Sequence, residues 1–191
     1  MTVRMTLDRA DSTDGARRTL VLIRHAKTEQ AGPPDQGDHG RRLLPRGVGD
    51  AEAAGRWLAE EGLVPDLVLC STSARTRETW EHITTESEEL AQAEVWHDPR
   101  IYNAWSETLI TVLAEVPDEV RTVAVVGHAP GVPDLVADLA DAERSEESAV
   151  ARFELGFPTM TCAVLETDAP WDGIPVESAL LVRVHTPRRS D

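Results

Sequence analysis

Cysteine is scarce in this chain of 191 residues, with only Cys70 and Cys162 present. Two thiols make no disulfide framework, and the default setting for such a chain is a reducing cytoplasm. Long hydrophobic runs are missing too: nothing approaches the roughly 18 apolar residues of a membrane span. The opening MTVRMTLDRADSTDGARR lacks the apolar centre of a secretory signal. Residues 1–18 are expected to be a disordered N-terminal tail ahead of a single domain over residues 19–187. Positive charge is in short supply, with 19 Lys and Arg against 34 Asp and Glu and a net charge of −15. Nucleic acid is thereby disfavoured as a partner, because that binding rests on neutralising phosphates. No internal repeat is visible. The few cations are not spread evenly: Arg24, Arg41, Arg42, Arg46, Arg75 and Arg77 all fall in the first half. Gathered arginines can make a local positive well for an anionic substrate even in an acidic protein.

What the chain does contain is a run of short apolar segments with β-branched residues, bounded by turn formers. Thr19–Lys27, TLVLIRHAK, reads as a buried strand that ends on Arg24-His25. Val64–Cys70 is a second strand, Val95–Tyr102 holds a short third one broken by Pro99, and Thr122–Val126 is a fourth, ending just before His128. Thr161–Glu166 and Ala179–His185 follow as two closing strands. Helical spacing predicts Val48–Glu61, stopped by Gly62, then Ala74–Ile83, Glu107–Val116 and Gly131–Ala140. A hydroxyl of Ser71, Thr72 or Ser73 is expected to cap the second helix, and Ser106 the third. Thr84–Gln92 is expected to be a loop or frayed helix end, and Ala142–Ala151 a solvated charged loop. Alternation of strand and helix predicts an α/β three-layer sandwich with a mostly parallel sheet, made mixed by the closing pair.

In such sheets ligands sit beyond the carboxyl ends of the strands. Arg24-His25, the turn Ser71–Arg75 and His128 all follow strands, and the loop ending at Arg41 adjoins them. Arginines there can hold phosphate oxygens bidentately, aided by the helix starts at Ala74 and Gly131. A neutral imidazole in that well can attack phosphorus and form a phosphohistidine that water then cleaves.

Leu22-Ile23-Arg24-His25-Ala26 resembles the RHG/RHA signature of the histidine phosphatase superfamily, whose fold is phosphoglycerate-mutase-like. Ser71-Thr72-Ser73-Ala74-Arg75-Thr76-Arg77-Glu78-Thr79 resembles that family's S-S-x-x-x-R-x-x-x-T segment, and Val126–Gly131, VGHAPG, its second-histidine segment. Asp38-His39-Gly40-Arg41, followed by Leu43 and Gly47, is similar to the D-x-x-R-x-L element of the small SixA-type phosphohistidine phosphatases. The resemblance implies His25 as nucleophile, Arg24 and Arg75 as catalytic phosphoryl-binding groups, His128 as donor to the phosphoryl oxygens, and Arg41 completing the phosphate-binding pocket. It implies no metal or organic cofactor, and a phosphorylated protein or small phosphorylated metabolite as partner, with neither nucleic acid nor membrane.

One departure concerns the acid. Larger relatives place a proton donor after the third strand, where this chain has Ile101-Tyr102-Asn103-Ala104; Asp38 and Glu107 are the remaining candidates. A missing acid favours a phosphoramidate such as phosphohistidine, whose imidazole leaves without a strong donor. The short chain also lacks insertions for a substrate cap, and an open pocket admits a protein-borne phosphoryl group. The alternatives are a phosphomonoester or nucleotide phosphatase on small metabolites, and a non-catalytic phosphate- or phosphopeptide-binding module. His39, His82, His97 and His185 read as surface or packing residues, Cys70 as an inert core thiol, and Arg77 and Glu78 as an exposed helix face. Trp105 is a candidate for the pocket mouth. Ser71 and Ser73 lack the G-x-S-x-G elbow of a serine nucleophile.

Overall fold

The computed structural model describes residues 17–189. Most of the expected tail thus lies outside the described residues, and Arg18 already belongs to the first strand. Among the described residues six strands form one sheet: β1 (Arg18–Arg24), β2 (Leu67–Ser71), β3 (Glu94–Asp98), β4 (Thr122–Gly127), β5 (Cys162–Thr167) and β6 (Leu180–His185). Their spatial order is β3-β2-β4-β1-β5-β6. β1, β2, β3 and β4 pair in parallel, whereas β5 runs antiparallel to β1 and β6 antiparallel to β5. The sheet is therefore mixed and mostly parallel, as the alternating pattern predicts.

Among the described residues six α-helices cover it: α1 (Pro45–Glu60), α2 (Ala74–Thr84), α3 (Glu88–Ala91), α4 (Ser106–Leu113), α5 (Gly131–Leu139) and α6 (Glu147–Glu154). Because successive strand residues face opposite sides, β1 feeds two cores. Val21 and Ile23 join Val68, Cys70, Ala124 and Val126 beneath Ala51, Ala54 and Leu58 of α1 and Trp80 and Ile83 of α2. Leu20 and Leu22 join Leu67, Leu69, Val123 and Val125 beneath Leu109 and Leu113 of α4 and Leu135 and Leu139 of α5. Continuous apolar runs in β1 and β4 follow from this double burial.

The order of strands creates the crevice. β4 returns between β1 and β2, and the helix after β1 lies on one face while the helix after β4 lies on the other. The two connections diverge, which opens a cleft above the carboxyl ends of β1 and β4. Backbone contacts seal its floor. A Cβ at Gly47 would stand 2.1 Å from the Lys27 carbonyl oxygen, and one at Gly131 would stand 2.0 Å from that of Ala104, so only glycine fits at either helix start.

Four local expectations change. Ser73 precedes α2, but its hydroxyl bonds the Thr76 hydroxyl at 2.8 Å instead of capping a backbone amide. Ser106 is the first helical residue, not the cap. A short helix, α3, occupies part of Thr84–Gln92, capped by the Ser87 hydroxyl on the Leu90 amide. The stretch after Ala142 turns into α6, because Ala149 and Phe153 make a narrow apolar stripe hidden among charges.

Candidate active site

His25 and His128 stand just past the ends of neighbouring parallel strands. Register aligns Arg24 with Gly127, and the His25 amide donates to the Gly127 carbonyl at 3.1 Å. Both histidines are buried, with ring centroids 5.3 Å apart. His25 Nδ1 lies 2.8 Å from the Ala26 carbonyl oxygen. A carbonyl only accepts, so Nδ1 carries the proton and Nε2 keeps the open lone pair. Burial, reinforced by the Arg75, Arg24 and Arg41 charges, lowers the His25 pKa to about 4 against a partial offset from its backbone bond. Burial and the Arg75 charge lower that of His128 to about 2. Both rings are neutral at pH 7.

Arg75, with a side chain 3% exposed, is the hub. Its Nε donates to His128 Nδ1 at 3.3 Å, while its terminal nitrogens reach the Asp38 carbonyl (2.8 Å), the Asp38 carboxylate (3.1 Å) and Asn103 Oδ1 (3.4 Å). With Nδ1 accepting, His128 Nε2 donates to the Ser71 hydroxyl at 2.9 Å. Arg41 donates to the Glu29 carbonyl (2.7 Å), Asp38 (3.0 Å) and the Thr28 hydroxyl (2.6 Å). Arg24 donates to the Phe157 carbonyl at 2.7 Å, and among the described residues its buried Nε has no acceptor. Burial lowers the pKa of Arg24 from its ordinary value, and among the described residues no carboxylate pairs with it. A half-buried guanidinium with a buried, unpartnered Nε and no paired carboxylate is suited to hold an anion.

These groups line an open pocket of about 560 Å³, whose wall holds Arg24, Lys27, Arg41 and Arg75 against the single carboxylate of Asp38. In a chain of net charge −15 that excess is local and positive. All five expected site residues, His25, His128, Arg24, Arg75 and Arg41, meet in this pocket. Arg42 turns away to pair with Glu78, which also accepts the Leu43 amide at 2.8 Å. Glu78 is thus an anchor for the loop and not a free surface charge. Trp105 is 63% exposed and outside the wall, and Glu107 is exposed in the first turn of α4. Cys70 is buried and its thiol is pushed up to about 12, consistent with an inert core residue.

Asp38 answers the question of the acid differently. The Tyr102 hydroxyl donates to it at 2.7 Å, and that bond, with those from Arg41, holds the carboxyl well below the usual carboxylate range. It is an ion at any working pH and has no proton to give. Tyr102 escaped the sequence reading: its ring lies edge-on to His128 (5.5 Å) and His39 (4.9 Å) and beneath the Arg75 guanidinium (5.5 Å). Asn103, in a left-handed backbone conformation with φ of 50°, escaped too. An Asn after a strand-ending turn was the available signal. Among the described residues no group of three or more His, Cys, Asp or Glu is arranged to hold a metal ion.

A family model described as the histidine phosphatase superfamily (branch 1) matches residues 20–122. An uncharacterized protein of Mycobacterium leprae is 38% identical over 168 residues, which are 87% of this chain and 100% of that protein. A structure from Nakamurella multipartitia, described as a candidate phosphohistidine phosphatase SixA, is 36% identical with a TM-score of 0.75, covering 90% of this chain and 96% of that one. A second structure so described, from Agrobacterium tumefaciens, is 29% identical with a TM-score of 0.70, over 89% and 98% of the two chains. The chain belongs to the histidine phosphatase superfamily and has its phosphoglycerate-mutase-like fold. Its class is that of hydrolases acting on phosphoryl groups.

Proposed function

We propose that this enzyme hydrolyses phosphohistidine in proteins, by transfer of the phosphoryl group to His25 and then to water. The observation that carries the reading is the pairing of a neutral His25, with Nε2 open, and an Asp38 held as an ion. The first supplies a nucleophile at neutral pH. The second leaves Asp38 without a proton to donate, which suits a leaving group that needs none.

In the first step His25 Nε2 forms the bond to phosphorus as the P–N bond of the substrate breaks, and the substrate imidazole departs with its electron pair. Arg24 and Arg75 hold the equatorial oxygens, with Arg41 beside them, so that charge in the loose transition state meets fixed cations. The dianion offsets the desolvation of His128, so that Nδ1 takes up a proton from solvent and donates it to a phosphoryl oxygen as Arg75 Nε turns from the ring to the anion. Water then attacks phospho-His25, the P–N bond breaks with its electron pair returning to Nε2, and the product leaves as dihydrogen phosphate carrying both hydrogens of that water. The SixA-type descriptions of the 36% and 29% identical structures support the substrate class.

The test is a comparison of kcat/KM for a phosphohistidine peptide and an alkyl phosphate ester. The proposal expects the peptide to win by at least a hundredfold, because the ester needs a protonated leaving oxygen. Equal rates would overturn the substrate assignment, and phosphate binding without turnover of either would make the protein a binding module.

A further inference from the structure

Beside the catalytic pocket lies a second cavity, of about 630 Å³, lined by Pro45, Arg46, Asp50, Arg188 and Arg189. The two share a wall. Leu44 lines the first and Pro45 the second, while Arg188 donates at 3.1 Å to the carbonyl of Thr159, a lining residue of the catalytic pocket.

Two guanidinium groups, those of Arg46 and Arg188, approach one carboxylate here, and a third arginine, Arg189, lines the same cavity. Asp50, 3% exposed, accepts from Arg188 at 3.3 Å and from the Arg189 amide at 3.1 Å, and lies 3.9 Å from Arg46 Nε. Asp50 therefore fastens the segment after β6 across the first turns of α1, and this brings Arg188 and Arg189 to the mouth. Arg46 remains 73% exposed and Arg188 36% exposed, so both keep donors open to the cavity. This gathering opposes local electrostatics. The first turn of α1 holds no acidic residue and no side-chain cap, and a cation near a helix N-terminus is unfavourable. Cations placed against a local rule and next to a reaction site are the mark of a functional demand.

We propose that Arg46, Arg188 and Arg189 form a second anion subsite. It takes an oxyanion carried by the substrate alongside the phosphoryl group, chiefly the Asp or Glu carboxylates flanking a phosphohistidine in a protein. This rests on the substrate class proposed above, but the subsite itself is a matter of binding. Spread over three side chains and open to solvent, it suits a run of carboxylates on a chain better than a single fixed phosphate.

The experiment measures binding to the His25→Ala protein, with and without Arg46→Gln and Arg188→Gln, so that turnover plays no part. Three probes are titrated: a phosphohistidine peptide flanked by Asp and Glu, the same peptide flanked by Ser and Gly, and an alkyl bisphosphate. The acid-flanked peptide is expected to bind at least tenfold tighter than its neutral twin, and the double substitution to erase that difference while leaving the affinity of the neutral twin within about twofold. A tenfold preference for the bisphosphate alone would overturn the carboxylate assignment. Equal affinity for all three, or equal loss of both peptides in the variant, would overturn the subsite. Turnover of the two peptides by wild type, split into kcat and KM, separates this outcome from failure of the substrate reading: the subsite predicts the difference in KM, and absence of any turnover contradicts the hydrolase proposal while the binding preference stands or falls by itself.

Discussion

The His25 ring stands 5.3 Å from that of His128, centroid to centroid, with the planes tilted by 58°. Their strands are parallel neighbours in register, so each residue is the first step beyond its own strand end. Two imidazoles held this close, beside Arg75 and out of water, stay neutral because protonating either would place a buried cation among cations. A neutral ring whose Nδ1 proton is already committed to a carbonyl is a nucleophile that needs no separate base.

Acid should therefore weaken both catalysis and the fold. In the unfolded chain these histidines titrate near their ordinary 6.5, whereas in the folded protein they bind protons only near 4 and 2. Below pH 6.5 the unfolded state holds protons that the folded state does not, so their contribution is complete above pH 6.5 and drains as pH falls. The slope is about 1.4 kcal/mol per pH unit for each histidine. Denaturant titrations between pH 7.5 and 4.5 should show it, and His128→Gln should remove about half. The kcat/KM of the wild type should stay level down to about pH 5 and fall near pH 4 as His25 takes up its proton. A stability that rises on acidification through this window would contradict the assignment of both rings as neutral.

Asp38 is expected to position and not to donate. Its carboxylate ties Tyr102 and Arg41 to Arg75. Asp38→Asn should loosen that tie and lower kcat by roughly ten- to a hundredfold, the scale of a small misplacement of reacting groups. The loss should be the same for phosphoryl substrates with good and poor leaving groups. A loss confined to poor leaving groups would identify Asp38 as the acid.

How much of this was legible from residues alone depends on distance along the chain. Arg24-His25 and His128 were readable because an apolar strand that ends on a charged or titratable pair is locally odd. Arg75 and Arg41 became readable only through the resemblance of their segments to those of the histidine phosphatase superfamily. Tyr102 was not, because its value lies in three contacts made with residues tens of positions away, Asp38, Arg75 and His128. The strand order was also closed to sequence reading, since every one of these strands carries a similar apolar pattern and only tertiary pairing inserts β4 between β1 and β2. The helix α6 was missed because two apolar residues on one face are outvoted by the charges around them.

Thr79 links the two halves of the site. Its hydroxyl accepts from the Ala26 amide at 3.0 Å and donates to the Arg75 carbonyl at 2.6 Å, all within the core. Thr79→Val keeps the shape and strands a buried amide, at a cost of about 1–3 kcal/mol. Chemical denaturation should register the loss, and Thr79→Ser should restore most of it. If Val and Ser variants were equally stable, the hydroxyl would have no structural part.

The central claim is that the phosphoryl group passes through His25. The direct test is intact mass after rapid quench at neutral pH with a small phosphoramidate, on wild type and His25→Ala. The account predicts one added phosphoryl group on the wild type, lost on brief acid treatment, and none on the variant, whose fold and phosphate binding persist. Turnover by the wild type with no such adduct at any quench time, or an equal adduct on His25→Ala, would contradict it.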